Sequence, residues 1–116
     1  MIAHVLLFRP AASLSSTDRE VLIATFERAL TDIPMIRRAS VGQRRLIGRP
    51  YEQAMREDYP FIATLEFASE DDLRAYLDHP AHAALAQRFF QSMEAALVYD
   101  FAMADASDLR AMLAGK

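Results

Sequence analysis

Residues 2–9, Ile-Ala-His-Val-Leu-Leu-Phe-Arg, decide the fold class, because they predict a β-strand that is apolar on both faces. Successive side chains of a strand point to opposite sides. One face therefore carries Ile2, His4, Leu6 and Phe8. The other face carries Ala3, Val5 and Leu7. A strand of this kind has to be covered on both sides, and that requirement governs the rest of the chain.

The chain that follows predicts one helix and two more strands. Thr17 and Glu20 have the spacing of a capping box, and apolar residues at helical spacing predict a helix over 17–31. Residues 36–47 predict a second strand, in which Gly42 allows a bulge. Residues 48–59 form a polar connection with a short helical turn at 52–56. Residues 60–67 predict a third strand.

The last third predicts a broken helix and a fourth strand. Ser69 can cap a helix that the segment Asp78-His79-Pro80 interrupts, and Pro80 suits the first position of a new one. Helical spacing continues over 81–96, and alternation predicts a strand over 97–103. Residues 104–116 are a C-terminal tail, in which Ser107 could cap a short helix.

This order, β-α-β-β-α-β with a split second helix, predicts an α+β, ferredoxin-like domain over residues 1–103. Its four-stranded antiparallel sheet would carry helices on one face only. The opposite face would remain a large apolar surface, and a second copy of the chain is the simplest cover. We therefore expect a homodimer through the sheet face, which is a dimeric α/β barrel.

Composition excludes several kinds of function. The chain has 116 residues, no cysteine and a formal net charge of −3, so nucleic-acid binding is disfavoured and thiolate chemistry is impossible. An arginine cluster over 37–49 is interpreted as a solvated strand edge and loop, with an anion site as the alternative. The start lacks signal-peptide features, and no stretch approaches the roughly 18 apolar residues of a membrane helix. We expect a cytoplasmic protein without membrane partners.

Three segments resemble the stress-responsive A/B barrel domain (Dabb) family: residues 2–8, 67–82 and 98–101. The most specific segment is Tyr-Leu-Asp-His-Pro-Ala-His at 76–82, which is also similar to the plant olivetolic acid cyclase, a polyketide cyclase. The resemblance covers roughly residues 1–103 and implies a homodimeric barrel. At the matching positions it implies catalytic roles for His4, Tyr76 and His82.

The sequence around each of the three histidines predicts a different role for it. His4 interrupts an apolar strand face, where an unsatisfied polar group costs about 1–3 kcal/mol, so a partner such as Tyr76 or His82 is expected. His82 would lie in the first turn of a helix, whose N-terminus favours neutral imidazole. His79 precedes Pro80, and we interpret it as a helix cap. A transition-metal site of the three histidines with Asp78 or Asp100 is a weaker alternative.

Three functions fit this pattern. The first is an enzyme without cofactor or metal that binds or cyclises a small apolar carbonyl or phenolic molecule by His/Tyr acid–base chemistry. The second is a non-catalytic stress-response or ligand-binding dimer, and a weaker third is a cofactor-free monooxygenase. Whether His4, Tyr76 and His82 line one cavity is the observation that separates the first from the second.

Overall fold

The computed structural model describes residues 1–115, and its framework is a four-stranded antiparallel sheet in the order β2-β3-β1-β4. The strands are β1 (Ile2–Pro10), β2 (Arg38–Gln43), β3 (Phe61–Phe67) and β4 (Met93–Ala102). The helices are α1 (Ser16–Asp32), α2 (Pro50–Ala54), α3 (Glu70–Leu77), α4 (Pro80–Ser92) and α5 (Leu109–Ala114). This confirms the predicted ferredoxin-like α+β fold with its second helix split at Pro80.

The inner face of the sheet, which carries His4 and Leu6 of β1, packs against α1, α3 and α4. The most deeply buried large side chains of the core are Phe67, Leu65 and Ile33. Two of them belong to the inner face of β3, as the alternation of that strand predicts. The core therefore lies between the sheet and the helices, and it holds the inner face of the sheet against α3 and α4.

The outer face of the sheet is apolar as well. In the antiparallel register, Val5 of β1 lies opposite Tyr99 of β4, and Ala3 lies opposite Phe101. Tyr99 and Phe101 remain 55% and 48% exposed. The prediction that β1 and β4 carry apolar residues on both faces is therefore correct, and in the single chain the outer face lies in solvent.

Two helix ends differ from the sequence prediction. The cap of α1 is Ser15, whose Oγ accepts a hydrogen bond from the Asp18 N–H at 3.0 Å, so the predicted capping box at Thr17 is wrong. Helix α4 ends at Ser92 rather than at residue 96. Residues 93–96 pair with the end of β1 instead, because β1 extends to Pro10 and its last residues gain ladder hydrogen bonds from them.

The β2–β3 connection also differs in detail. Strand β2 is shorter than predicted and runs in unbroken register with β3, so Gly42 forms no bulge. A Cβ atom on Gly42 would lie 3.0 Å from Cγ2 of Ile62, and the glycine permits that close approach. Helix α2 begins at Pro50, two residues before the predicted turn, because the Glu52 carboxylate accepts three backbone N–H groups from residues 47–49.

The C-terminal tail forms a short helix, as predicted, but with a different cap. Asp105 accepts hydrogen bonds from the backbone N–H and the hydroxyl of Ser107, which opens a 3₁₀ turn before α5. These hydrogen bonds lower the pKa of the Asp105 carboxyl. The apolar side chains Leu109, Met112 and Leu113 of this segment are exposed.

Within residues 1–115, no helix has the length and apolar character needed to cross a lipid bilayer.

Candidate functional site

A cavity of about 210 Å³ opens between the inner face of the sheet and helices α1, α3 and α4. Three polar residues lie in its lining: His4 from β1, Tyr76 from the last turn of α3 and His82 from the first turn of α4. The remaining lining residues are apolar: Leu6, Phe26, Leu65, Leu77, Leu85, Ala86, Phe89, Phe90 and Val98. The structure therefore brings all three predicted site residues to one apolar cavity.

His4 has a partner that sequence reasoning did not assign to it. Its Nδ1 lies 2.5 Å from Oδ1 of Asp100, the residue directly opposite in the β1–β4 register. His4 is 4% exposed, whereas the Asp100 side chain is 44% exposed. Because a carboxylate only accepts hydrogen bonds, the Nδ1–H of His4 donates to Asp100, and this hydrogen bond fixes the orientation of the ring.

Tyr76, one of the two partners expected for His4, contacts the His4 ring by edge-to-face packing, and His82 in turn packs against Tyr76. The His4 and Tyr76 ring centroids lie 5.6 Å apart, edge to face. The Tyr76 and His82 centroids lie 4.6 Å apart, again edge to face. The signal that could have identified Asp100 was present in the sequence. It is a charged residue between Val98 and Ala102 on one face of the predicted strand, but its register with His4 could not be read from the sequence.

Tyr76 is a proton donor throughout the physiological pH range. The residue is 2% exposed, and no side-chain hydrogen bond of its hydroxyl is found within residues 1–115. Burial and, secondarily, the negative charge of Asp100 raise the pKa of Tyr76 to about 12. The phenol therefore stays protonated and can donate to an oxygen atom that enters the cavity.

His82 is neutral near pH 7. Burial is the largest cause that lowers its pKa, and the electrostatic interaction with His4 lowers it further, whereas a hydrogen bond to the Leu77 carbonyl acts in the opposite direction. The predicted direction of the shift is therefore correct, although burial and not the helix terminus is its first cause. A neutral imidazole in a mainly apolar cavity can accept a proton from a bound molecule.

His79 has the capping role predicted for it. Its Nδ1 accepts a hydrogen bond from the Ala81 N–H at 3.0 Å and thereby caps α4. The residue does not line the cavity. In the part of the chain that the structure describes, no three His, Asp or Glu side chains are grouped as metal ligands, so the three-histidine arrangement does not form.

The break between α3 and α4 creates the Tyr76–His82 contact. In one continuous helix, residues six positions apart would point in directions about 120° apart. The Asp78-His79-Pro80 junction redirects the chain, so the end of one helix and the beginning of the next face the same cavity. The proline and the capping histidine thus position two site residues without touching the cavity themselves.

Comparison with known proteins gives one family match. The model of the stress-responsive A/B barrel domain, Dabb, matches residues 2–103. Among curated proteins no match is found.

Solved structures share the fold over nearly the whole chain. A crystal structure of an Arabidopsis thaliana protein has a TM-score of 0.74 at 24% identity, covering 91% of this chain and 98% of that one. A dimeric ferredoxin-like protein of unknown function from Thermobifida fusca has a TM-score of 0.66 at 24% identity, covering 88% and 90%. A hydroxynitrile lyase from Passiflora edulis has a TM-score of 0.74 at 17% identity, covering 90% and 94%. At these identities the likeness is one of fold alone.

Proposed function

We propose that this chain, which belongs to the stress-responsive A/B barrel domain family, is a homodimeric enzyme. It would move protons on a small carbonyl compound without a cofactor. One observation carries the proposal: a proton acceptor, a proton donor and a carboxylate-held imidazole converge on one small apolar cavity. Such a combination is what enolisation and ring closure require of a protein.

His82 acts as the general base. Its neutral imidazole accepts the proton from the carbon next to the substrate carbonyl, the C–H electron pair forms the C=C bond of the enolate, and the π pair of the carbonyl moves to its oxygen. Tyr76 donates a hydrogen bond to the enolate oxygen that forms, and its high pKa keeps that proton on the phenol. His4, whose ring is held by the hydrogen bond from Nδ1 to Asp100, orients the substrate by a hydrogen bond through Nε2.

The enolate has two outcomes. It takes the proton back from His82, which gives isomerisation or isotope exchange, or its carbon attacks a second carbonyl of the same molecule, which closes a ring. The similarity of residues 76–82 to a plant polyketide cyclase favours the second outcome. Because the hydroxynitrile lyase from Passiflora edulis shares the fold, the fold is compatible with an enzyme cavity.

The homodimer forms through the outer face of the sheet. Val5 and Tyr99 are register partners there, and the exposed Phe101 extends the same apolar surface. Exposed apolar patches of this kind mark interaction sites, and a two-fold copy supplies a self-complementary partner. The Thermobifida fusca protein with this fold is described as dimeric, which agrees with the proposal.

Hydrogen–deuterium exchange on phenylacetone tests the chemistry. This ketone has acidic protons next to its carbonyl, and their loss in D₂O is followed by proton NMR. We expect the protein to accelerate exchange over buffer, and His82→Ala to reduce the acceleration by about 10²–10⁴-fold. Tyr76→Phe, which deletes only the hydroxyl, reduces it by about 10²-fold or more. Exchange at the buffer rate, or variants with wild-type rates, would refute the proposal.

The matched controls are Tyr51→Phe and Gln87→Ala. Both side chains are exposed and neither lines the cavity, so exchange is expected to remain unchanged. The same assay separates the enzyme from a ligand-binding protein without turnover. A binding protein would give saturable chemical-shift changes at His4, Tyr76 and His82 with phenylacetone and no acceleration of exchange.

A further inference from the structure

We infer that the cavity selects uncharged carbonyl compounds with an apolar body of about one ring, and that it excludes carboxylates of the same size. This inference deepens the proposed function and rests on it, because it names the substrate class of the same site. Charge, volume and lining chemistry each support it separately.

The lining of the cavity contains no lysine or arginine. Its polar members are His4, Tyr76 and His82, and His4 is already paired with Asp100. A carboxylate that enters such a space loses its water and gains no lysine or arginine as a countercharge, which strongly disfavours binding. A neutral carbonyl oxygen needs only one donor, and the Tyr76 hydroxyl supplies it.

The fixed charge beside the polar end of the cavity is negative. Asp100 is bonded to His4, and its charge acts on the Tyr76 hydroxyl, where it adds to burial in opposing ionisation of the phenol. A substrate carboxylate hydrogen-bonded to Tyr76 would place its negative charge in the same environment. The two causes that keep the phenol neutral would therefore also oppose an anionic substrate.

Protonation of His82 would be the remaining way to neutralise an anion. Burial and the electrostatic interaction with His4 both lower the pKa of His82, so its imidazolium is disfavoured in the cavity. An anion could stabilise that imidazolium only after giving up its own hydration. The arrangement favours a neutral base facing a neutral substrate.

The volume limits the apolar part of the substrate. Drug-sized ligands occupy pockets of about 300–1,000 Å³, whereas this cavity measures about 210 Å³. Phe26, Phe89 and Phe90 contribute aromatic walls that suit one ring or a short branched chain. Long, flexible or multiply charged substrates do not match this space.

Three molecules of nearly equal size test the inference. Phenylacetone and phenylacetamide are neutral, and phenylacetate is their anionic counterpart. Each is titrated at pH 7.5 into the full-length protein, and binding is followed by the NMR shifts of the cavity residues. We expect both neutral molecules to bind with saturable shifts at His4, Tyr76 and His82, and phenylacetate to bind at least about tenfold more weakly. A tenfold ratio corresponds to about 1.4 kcal/mol.

A matched pair of alanines on α4 tests the role of charge. Ala86 lines the cavity, whereas Ala83 on the same helix is exposed and does not. Ala86→Lys is expected to bring the phenylacetate affinity up to that of phenylacetamide or beyond it, and Ala83→Lys to leave the ratio unchanged. Both proteins carry the same added charge, so a general electrostatic effect would appear in both.

A second variant removes the negative charge itself. Asp100→Asn keeps a hydrogen-bond acceptor for His4. In this variant we expect the affinities for phenylacetamide and phenylacetate to differ by no more than about threefold. Asp71→Asn is the control, because the Asp71 side chain is 94% exposed. The alanine pair keeps the test informative if Asp100→Asn fails to fold.

Three results would overturn the inference. They are phenylacetate binding as tightly as phenylacetamide, a ratio that neither Ala86→Lys nor Asp100→Asn changes, and the absence of cavity shifts with all three molecules. The titration needs no turnover, so its failure is distinguishable from that of the proposed enzyme. Preferential binding of the neutral molecules without isotope exchange would refute the proposed enzyme and support the proposed substrate class. Isotope exchange with equal binding of neutral and anionic molecules would support the enzyme and refute the substrate class.

Discussion

The two faces of the β1–β4 pair are one residue apart along each strand, and they differ in chemical character. On the inner face, His4 lies opposite Asp100, and on the outer face the next residues, Val5 and Tyr99, lie opposite each other. The inner pair is polar and borders a cavity that helices enclose. The outer pair is apolar and lies in solvent in the single chain. Side-chain alternation thus lets one pair of strands carry a polar pair on one face and an exposed apolar surface on the other.

The largest expected effect follows a charge placed on the outer face. Val5→Glu puts a carboxylate into the proposed interface, where an unpaired buried charge costs about 3–5 kcal/mol. A two-fold interface contains the change twice. We expect the variant to be monomeric at concentrations at which the wild type is dimeric, as measured by sedimentation velocity.

The control for this change is Ala24→Glu on the exposed side of α1, which adds the same charge away from the sheet. It is expected to sediment as the wild type does. A dimer of undiminished affinity in Val5→Glu would contradict an interface on the outer face.

A smaller effect is expected from breaking the inner pair. Asp100→Ala leaves the Nδ1–H of the buried His4 without an acceptor, and the free energy of unfolding should fall by about 1–3 kcal/mol. His4→Phe removes the buried polar group and leaves the half-exposed Asp100 to water, so it should cost less than Asp100→Ala. Urea denaturation measures both variants, and a larger loss in His4→Phe would contradict this ranking.

The pH dependence of stability sharpens the comparison further. His82 has a lowered pKa in the folded chain, so below its ordinary value of 6.5 the unfolded chain binds more protons. Its contribution therefore makes folding less favourable as the pH falls from 7.5 through 6.5. We expect His82→Gln to lose less stability than the wild type between pH 7.5 and 6.0, as measured by urea denaturation at each pH. Parallel pH curves for the two proteins would contradict the expected shift.

The smallest effect belongs to an ion pair on the same two strands. Arg9 Nε lies 2.7 Å from Glu94 Oε2, but the two side chains are 28% and 57% exposed. Exposed pairs contribute about 0–1 kcal/mol, so Glu94→Ala should change the free energy of unfolding by no more than that. A cost equal to that of Asp100→Ala would show that burial does not distinguish the two pairs.

Local chemistry explains what could be predicted from the sequence. The Ser69 cap of α3, the break at Pro80 and the two-faced alternation of β1 depend on neighbouring residues, and the structure confirms them. His4, Tyr76 and His82 were also identified in advance, partly through the family resemblance. Their catalytic roles remain proposals.

Long-range pairing explains what could not be predicted. Asp100 became the partner of His4 through a register between strands at opposite ends of the chain. The early start of β4 has the same origin, because residues 93–96 are helical by their own pattern and become a strand only where β1 pairs with them. The Glu52 hydrogen bonds that position α2 depend on a loop conformation that carries no periodic signal.

The His4–Asp100 hydrogen bond joins residues 96 positions apart, which has a consequence for how the chain folds. Contacts of such high sequence separation form slowly, because a long loop must close before they contribute. Tyr76 and His82 can meet within a few residues, but His4 joins them in its final orientation only once the last strand has paired with the first. A growing chain in which β4 has not yet been synthesised therefore lacks the Asp100 partner of His4. During refolding, the proposed activity would accordingly recover when β1 pairs with β4, later than the helical circular-dichroism signal appears.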